Sequence, residues 1–221
     1  MTIESNIDEI TKNIGSDITL IAVTKTRSLD EIKIAYNKGS RDFGENKVQE
    51  FLDKVDLIGE DVRWHIIGHL QRNKVKYIAG RVFMIHSLDS IQLLEEIEKQ
   101  YSKINEEARV LIEINIGREP AKTGIFLEEL DELFSAIEKC HFIKVKGLMA
   151  IIPIGDIESS RKYFKEIRIV WENVKQKKFS NISMDYLSMG MTNDYKIAIE
   201  EGSNMIRIGE GIFGKRKLNI I

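Results

Sequence analysis

Residues 18–26 read ITLIAVTKT, and this stretch decides the fold. A short apolar, β-branched run bounded by turn residues is the pattern of a fully buried strand in a parallel sheet. Lys25 stands at its C-terminal end. That end is where α/β barrels and open α/β sheets carry their chemistry. A lysine there, among apolar neighbours, loses part of its hydration, which leaves more neutral amine to attack a carbonyl. A strand-end lysine that snorkels its head into water explains the same stretch equally well.

Working outward, the same unit repeats. A leading helix over residues 3–14 precedes the first strand, and Ser28 with Glu31 forms a capping box that opens the helix after it. Further strands are predicted at 42–46, 63–68, 82–85, 108–116, 143–152, 182–187 and 204–208. Helices are predicted between them, including one over 71–79, one after Ser90 and one carrying Tyr163, Ile167, Trp171 and Val174. Eight strand-then-helix units in 221 residues predict a single (β/α)8 TIM barrel rather than a doubly wound open sheet. The eight units use up the chain, so one domain over 1–221 is expected.

Composition narrows the function classes. Thirty-three basic and 35 acidic residues give a net charge of −2, which calls for neither nucleic acid nor an anionic membrane. A single cysteine, Cys140, excludes an internal disulfide framework. The acidic start MTIESNIDEI is no secretory signal, and no apolar run reaches membrane-spanning length, so a cytoplasmic location is expected.

The strand ends place Lys25, Asn46, His65 with His69, His86 with Ser87, Asn115, Met149, Ser188 with Gly190, and Arg207 with Gly209 on one rim. Barrels often bind phosphate in the loops after strands seven and eight. Here those loops are 188–192, SMGMT, and 209–211, GEG, whose glycines let backbone N–H groups approach an anion. A rim lysine beside a phosphate pocket suggests a Schiff base with a phosphorylated carbonyl compound. Pyridoxal 5'-phosphate (PLP) on Lys25 fits, and so does a sugar-phosphate aldolase. Arg207 suits the phosphate, the pyridine nitrogen of PLP, or an ion pair with Glu210. His65 and His69 have the spacing of a zinc pair, but Ile66 stands where a metalloprotease needs glutamate, and no metal site is predicted. His86, His141, Cys140, Trp64 and Trp171 read as structural.

Seven motifs then carry a resemblance. They are AVTK ending at Lys25, FGENKVQE at 43–50, WHIIGHLQRNK at 64–74, KTG at 122–124, GLMAI at 147–151, LSMGMTNDY at 187–195 and RIGEGIFG at 207–214. In this order, over nearly the whole chain, they resemble the PLP homeostasis proteins, single-domain PLP-binding barrels related to the N-terminal domain of alanine racemase. The resemblance implies Lys25 as the Schiff-base lysine and Asn46 near the ring. It places Ser188, Gly190 and the Gly209 loop at the phosphate, Arg207 beside the cofactor, and Lys122 as a secondary lysine near the mouth. It implies a non-catalytic carrier or regulator of free PLP that affects amino-acid balance, with apo-PLP enzymes as acceptors. A PLP-dependent racemase is the alternative. Two-base racemisation needs an acid/base group on each cofactor face, and racemases take the second from another domain and subunit. That domain is not expected here, and its absence also predicts a monomer. The family usually has threonine where this chain has Glu210, so Glu210 is expected to turn outward, toward Arg207 or Lys215. Loss of that hydroxyl is worth roughly 1 kcal/mol of binding.

Overall fold

In a computed structural model, which describes residues 2–215, eight parallel strands close on themselves in sequence order. They are β1 (Thr19–Val23), β2 (Asp42–Glu45), β3 (Arg63–Ile66), β4 (Met84–Leu88), β5 (Ala108–Ile114), β6 (Ile143–Ala150), β7 (Ile182–Ser188) and β8 (Met205–Ile208). The connecting helices are α2 (Leu29–Asn37), α3 (Val48–Leu52), α4 (Ile91–Ile104), α5 (Leu130–Ile137), α6 (Ile157–Lys175) and α7 (Tyr195–Glu200). Leading α1 (Ile3–Asn13) packs beside α2 and the short terminal α8 (Glu210–Phe213), burying Ile7 and Ile10. The predicted TIM barrel is thus the observed fold. No described helix is long and apolar enough to cross a membrane.

Local chemistry explains the elements. Ser28 and Glu31 form the expected reciprocal cap of α2, and Lys38 and Gly39, with φ of +108°, end it. Asp156 caps α6, whose buried stripe is Ser160, Phe164, Ile167, Trp171 and Val174. The strands bury their outward faces against these helices. Inside the barrel, Ile21, Met84, Leu111, Met149 and Met205 form a separate apolar layer, largely of adaptable methionine. Register shifts between Val145 and Gly147 where β6 pairs β7. Gly147 sits there at φ +149°, and a Cβ on it would lie 1.8 Å from the Tyr186 carbonyl oxygen.

Three sequence readings are corrected. Residues 72–77 form a 3-10 turn rather than a helix over 71–79, because only Val75 of that segment is buried and no apolar stripe exists to hold an α-helix. Strand β4 runs to Leu88 instead of stopping at 85. Its His86 and Ser87 look like loop residues but are fully buried, and His86 is hydrogen-bonded across the barrel interior. Strand β1 stops at Val23, so Lys25 lies in the following turn rather than in the strand.

Candidate functional site at the strand C-termini

A cavity of about 470 Å³ opens over the C-terminal ends of β1, β2, β6 and β8. Lys25, Asn46, Arg207, Gly209 and Glu210 all line it. Ser188 and Gly190 do not; they stand behind the wall.

The turn that carries Lys25 is pinned on both sides. On one side the Thr24 hydroxyl donates to Glu45 Oε1 over 2.6 Å. Lys54 Nζ reaches the same oxygen over 2.7 Å and the Thr24 carbonyl over 2.9 Å. On the other, the Thr26 N–H donates to Glu50 Oε2 over 2.6 Å. Thr26 takes φ of +62°, which a β-branched residue adopts only when its surroundings impose it. Glu50 also lies 3.6 Å from Lys54. Glu45 is fully buried, and burial pushes its carboxyl up against the pull of Lys54 and Thr24. This Glu45–Lys54–Glu50 cluster is not legible in the sequence, because residues so spaced signal no shared pocket until α3 folds back on β2. The part-buried Lys25 side chain faces the cavity from this braced turn.

Arg207 is 3 % exposed, yet it forms part of the wall. Its Nη1 donates to Ser188 Oγ over 2.7 Å and its Nη2 to the Ala150 carbonyl over 2.9 Å. Burial brings the guanidinium down to about 10, against the pull of Glu113 and Asp194, so it stays cationic at neutral pH. No ion pair joins Arg207 to Glu210 among the described residues, which corrects that pairing. Glu210 is exposed in the first turn of α8 and lines the cavity. No Glu210–Lys215 pair is formed among the described residues either. Asn46 presents a buried Oδ1 with no protein partner in a cavity wall, an acceptor held ready for a donor.

Behind the wall, the Gly190 carbonyl accepts the Arg207 N–H over 3.0 Å. Gly190 has φ of +96°, and a Cβ there would lie 2.6 Å from Ala198 Cβ and 2.9 Å from Tyr195 Cα. Gly190→Ala is therefore expected to cost roughly 2–3 kcal/mol through strain and displacement of α7. Urea unfolding would measure it, and an unchanged midpoint would contradict this account. Residues 191–194 follow as part of the wall. There the Asp194 carboxylate accepts the Met191 N–H over 2.5 Å, and Thr192 Oγ1 accepts the Gly211 N–H over 3.1 Å.

Other readings fall elsewhere. Lys122 is absent from the wall; it pairs with Glu119 on a loop stapled by Asn115. His65 and His69 take different partners: His65 bonds His86 inside the barrel, and exposed His69 bonds Asp89. Burial pushes the Cys140 thiol up to about 11. The sequence did not single out the loop 151–157, whose isoleucines form the apolar side of the cavity. Nor did it single out Arg27, which lines the mouth and ties down the Phe213 and Gly214 carbonyls.

The family described as alanine racemase, N-terminal domain, matches residues 1–217. A pyridoxal phosphate homeostasis protein of Aquifex aeolicus (strain VF5) is 43 % identical over 200 residues, 90 % of this chain and 87 % of the relative. PipY of Synechococcus elongatus PCC7942 superposes with a TM-score of 0.91 without PLP and 0.88 with PLP bound. It is 28 % identical, over 96 % of this chain and 100 % of PipY. An alanine racemase of Clostridium difficile 630, 13 % identical, superposes at 0.77 over all of this chain and 58 % of its own, a likeness of fold alone.

Proposed function

The chain belongs to the pyridoxal phosphate homeostasis protein family, and from that premise we propose that it holds PLP as a Schiff base on Lys25 without turning over a substrate. On this reading residues 1–221 are one barrel domain, acting as a monomer in the cytoplasm. It contributes to PLP homeostasis and amino-acid balance, with apo-PLP enzymes as acceptors.

The observation that carries the reading is the convergence, in one cavity, of an amine on a braced turn, a buried cation and an unmet acceptor. These are Lys25, Arg207 and Asn46. They fit the group: Lys25 would take its aldehyde, Arg207 would meet the pyridine nitrogen or an anionic oxygen, and Asn46 would accept from a ring substituent or its bridging water. Residues 191–194 and the Gly209 turn would take the phosphate, with Ser188 and Gly190 supporting them from behind. PLP supplies an electrophilic carbonyl carbon and an electron-withdrawing ring.

The rest of the wall supports a carrier. Asp156 is engaged as the cap of α6, Asp194 accepts a backbone N–H, and both arginines only donate. Hydrogen bonds from Ser159 hold the Asp156 carboxyl below its ordinary range, so it is a poor proton donor at neutral pH. Glu210, in place of threonine, offers the phosphate no hydroxyl.

The test is a visible spectrum of the purified chain titrated with PLP, followed by borohydride reduction and peptide mapping. A Schiff-base band and one reduced adduct, on Lys25, are expected, with no racemisation or decarboxylation of any amino acid. Adducts scattered over surface lysines would sink the binding site, and steady turnover would sink the carrier.

A further inference from the structure

A continuous run of polar side chains crosses the barrel interior, from the cavity wall to the opposite ends of the strands. Arg207 Nη1 lies 2.7 Å from Ser188 Oγ, which lies 3.3 Å from His86 Nδ1. His86 Nε2 lies 2.9 Å from His65 Nδ1, and His65 Nε2 lies 3.1 Å from Asp42 Oδ1. Arg63, at the start of β3, closes the run with donors 2.7 and 2.5 Å from the two Asp42 oxygens. His65, His86 and Ser188 have no exposed surface at all.

The two ends fix the protons in between. A guanidinium only donates, so Ser188 Oγ accepts from Arg207 and its own hydrogen goes to His86 Nδ1. A neutral His86 then carries its proton on Nε2 and donates to His65 Nδ1. His65 repeats the arrangement and donates from Nε2 to the Asp42 carboxylate. From Arg207 to His65 every donor points away from the cavity, and Arg63 donates to Asp42 from the other end. A further proton on His86 would set a second donor against Ser188, orphan the serine hydrogen and place a positive charge beside Arg207. Burial holds both imidazoles below their ordinary range, His65 against the pull of Asp42 and His86 with His65 and Arg207 adding to the effect. Burial alone would raise the Asp42 carboxyl, but hydrogen bonds from Arg63 and His65 hold it low, so it remains an acceptor.

We propose that His86 and His65 are positioning residues of the cavity: they orient the Ser188 hydroxyl as an acceptor for Arg207 and so fix the guanidinium, leaving its remaining donors for an acceptor or anionic group of the ligand. The identity of that ligand rests on the PLP reading above; the directed chain does not. Neither histidine touches the cavity, and both act through Ser188. Without them Ser188 can turn its hydrogen toward Arg207, and among the described residues the Ala150 carbonyl is then the one hydrogen-bond acceptor left to the guanidinium.

The first arm uses the full chain without PLP. Nitrogen-15 NMR of the imidazoles at neutral pH, assigned by single His→Gln variants, is expected to show His65 and His86 both neutral with the proton on Nε2. An Nδ1–H ring or an imidazolium at either position overturns the chain. The second arm compares PLP dissociation constants, read from the visible band, for the wild type, His86→Leu and His86→Gln. Glutamine offers an NH2 donor group and a carbonyl acceptor in the imidazole's place. Leucine is expected to weaken PLP about tenfold, the loss of roughly one buried hydrogen bond, while glutamine stays within about threefold. Equal affinities in all three, or equal losses in both variants at matched melting temperatures, refute the positioning role. Should leucine fail to fold, a glutamine variant weakened tenfold refutes it as well. A wild type that gives no PLP band fails the reading of the cavity instead, and the tautomers then decide the chain alone.

Discussion

Alanine in place of Lys25 is expected to abolish the visible band of the PLP-loaded chain and every reduced adduct at this site. It should weaken PLP binding on the order of a hundredfold, about 2.7 kcal/mol. The size follows from the division of labour in the cavity. On the proposed reading Arg207, Asn46 and the loops after β7 and β8, which line the same cavity, would still hold ring and phosphate without a covalent link. On the same reading Lys25 alone would bond the aldehyde. The turn around it is fixed by Thr24, Thr26, Glu45, Glu50 and Lys54, whose mutual contacts survive the substitution. A band that persists in the alanine variant would move the anchor elsewhere and return Lys25 to a structural role.

Lys54→Met is expected to destabilise the fold more than Gly190→Ala does, by roughly 3–5 kcal/mol. Lys54 is 7 % exposed and Glu45 fully buried, so methionine leaves a buried carboxylate without its cation. It also frees the Thr24 carbonyl. The pH dependence has a defined sign. Burial already raises the Glu45 carboxyl against the opposing hydrogen bond of Lys54, and removal of the ammonium raises it further. A carboxyl higher in the folded than in the unfolded chain binds more protons when folded, so stability falls as pH rises between the two values. The variant should thus recover stability on acidification from neutral pH toward 4.5, the carboxyl's ordinary value. Lys54→Met with Glu45→Gln should unfold later than Lys54→Met alone at pH 7, because the uncompensated charge is gone. Equal unfolding midpoints for the two would show that the cluster is not held together by charge.

By itself the sequence determined the barrel. Its signals are local: buried β-branched runs such as residues 18–23, a cap such as Ser28 with Glu31, and apolar stripes such as that of α6. Repeated eight times, they favour closure into a barrel, which covers both faces of every strand and leaves no edge unpaired. It also determined that Lys25, Asn46, Arg207, Gly209 and Glu210 share a rim, because parallel strands put all their C-terminal ends on one side. Only the tertiary structure decided what each polar group faces. Ser188 and Gly190, adjacent to the cavity in sequence terms, are turned behind its wall by the alternation of side chains along β7 and the backbone bend at Gly190. His86 reads as loop because a polar residue at a strand end has no visible partner. Its partners, His65 and Ser188, are 21 and 102 residues away and meet it only when the barrel closes. Glu45 and Lys54, 9 residues apart, meet once the chain after β2 folds back on it. Burying such groups is favourable only when their hydrogen bonds are met. Whether they are met depends on contacts across the fold that no stretch of sequence contains.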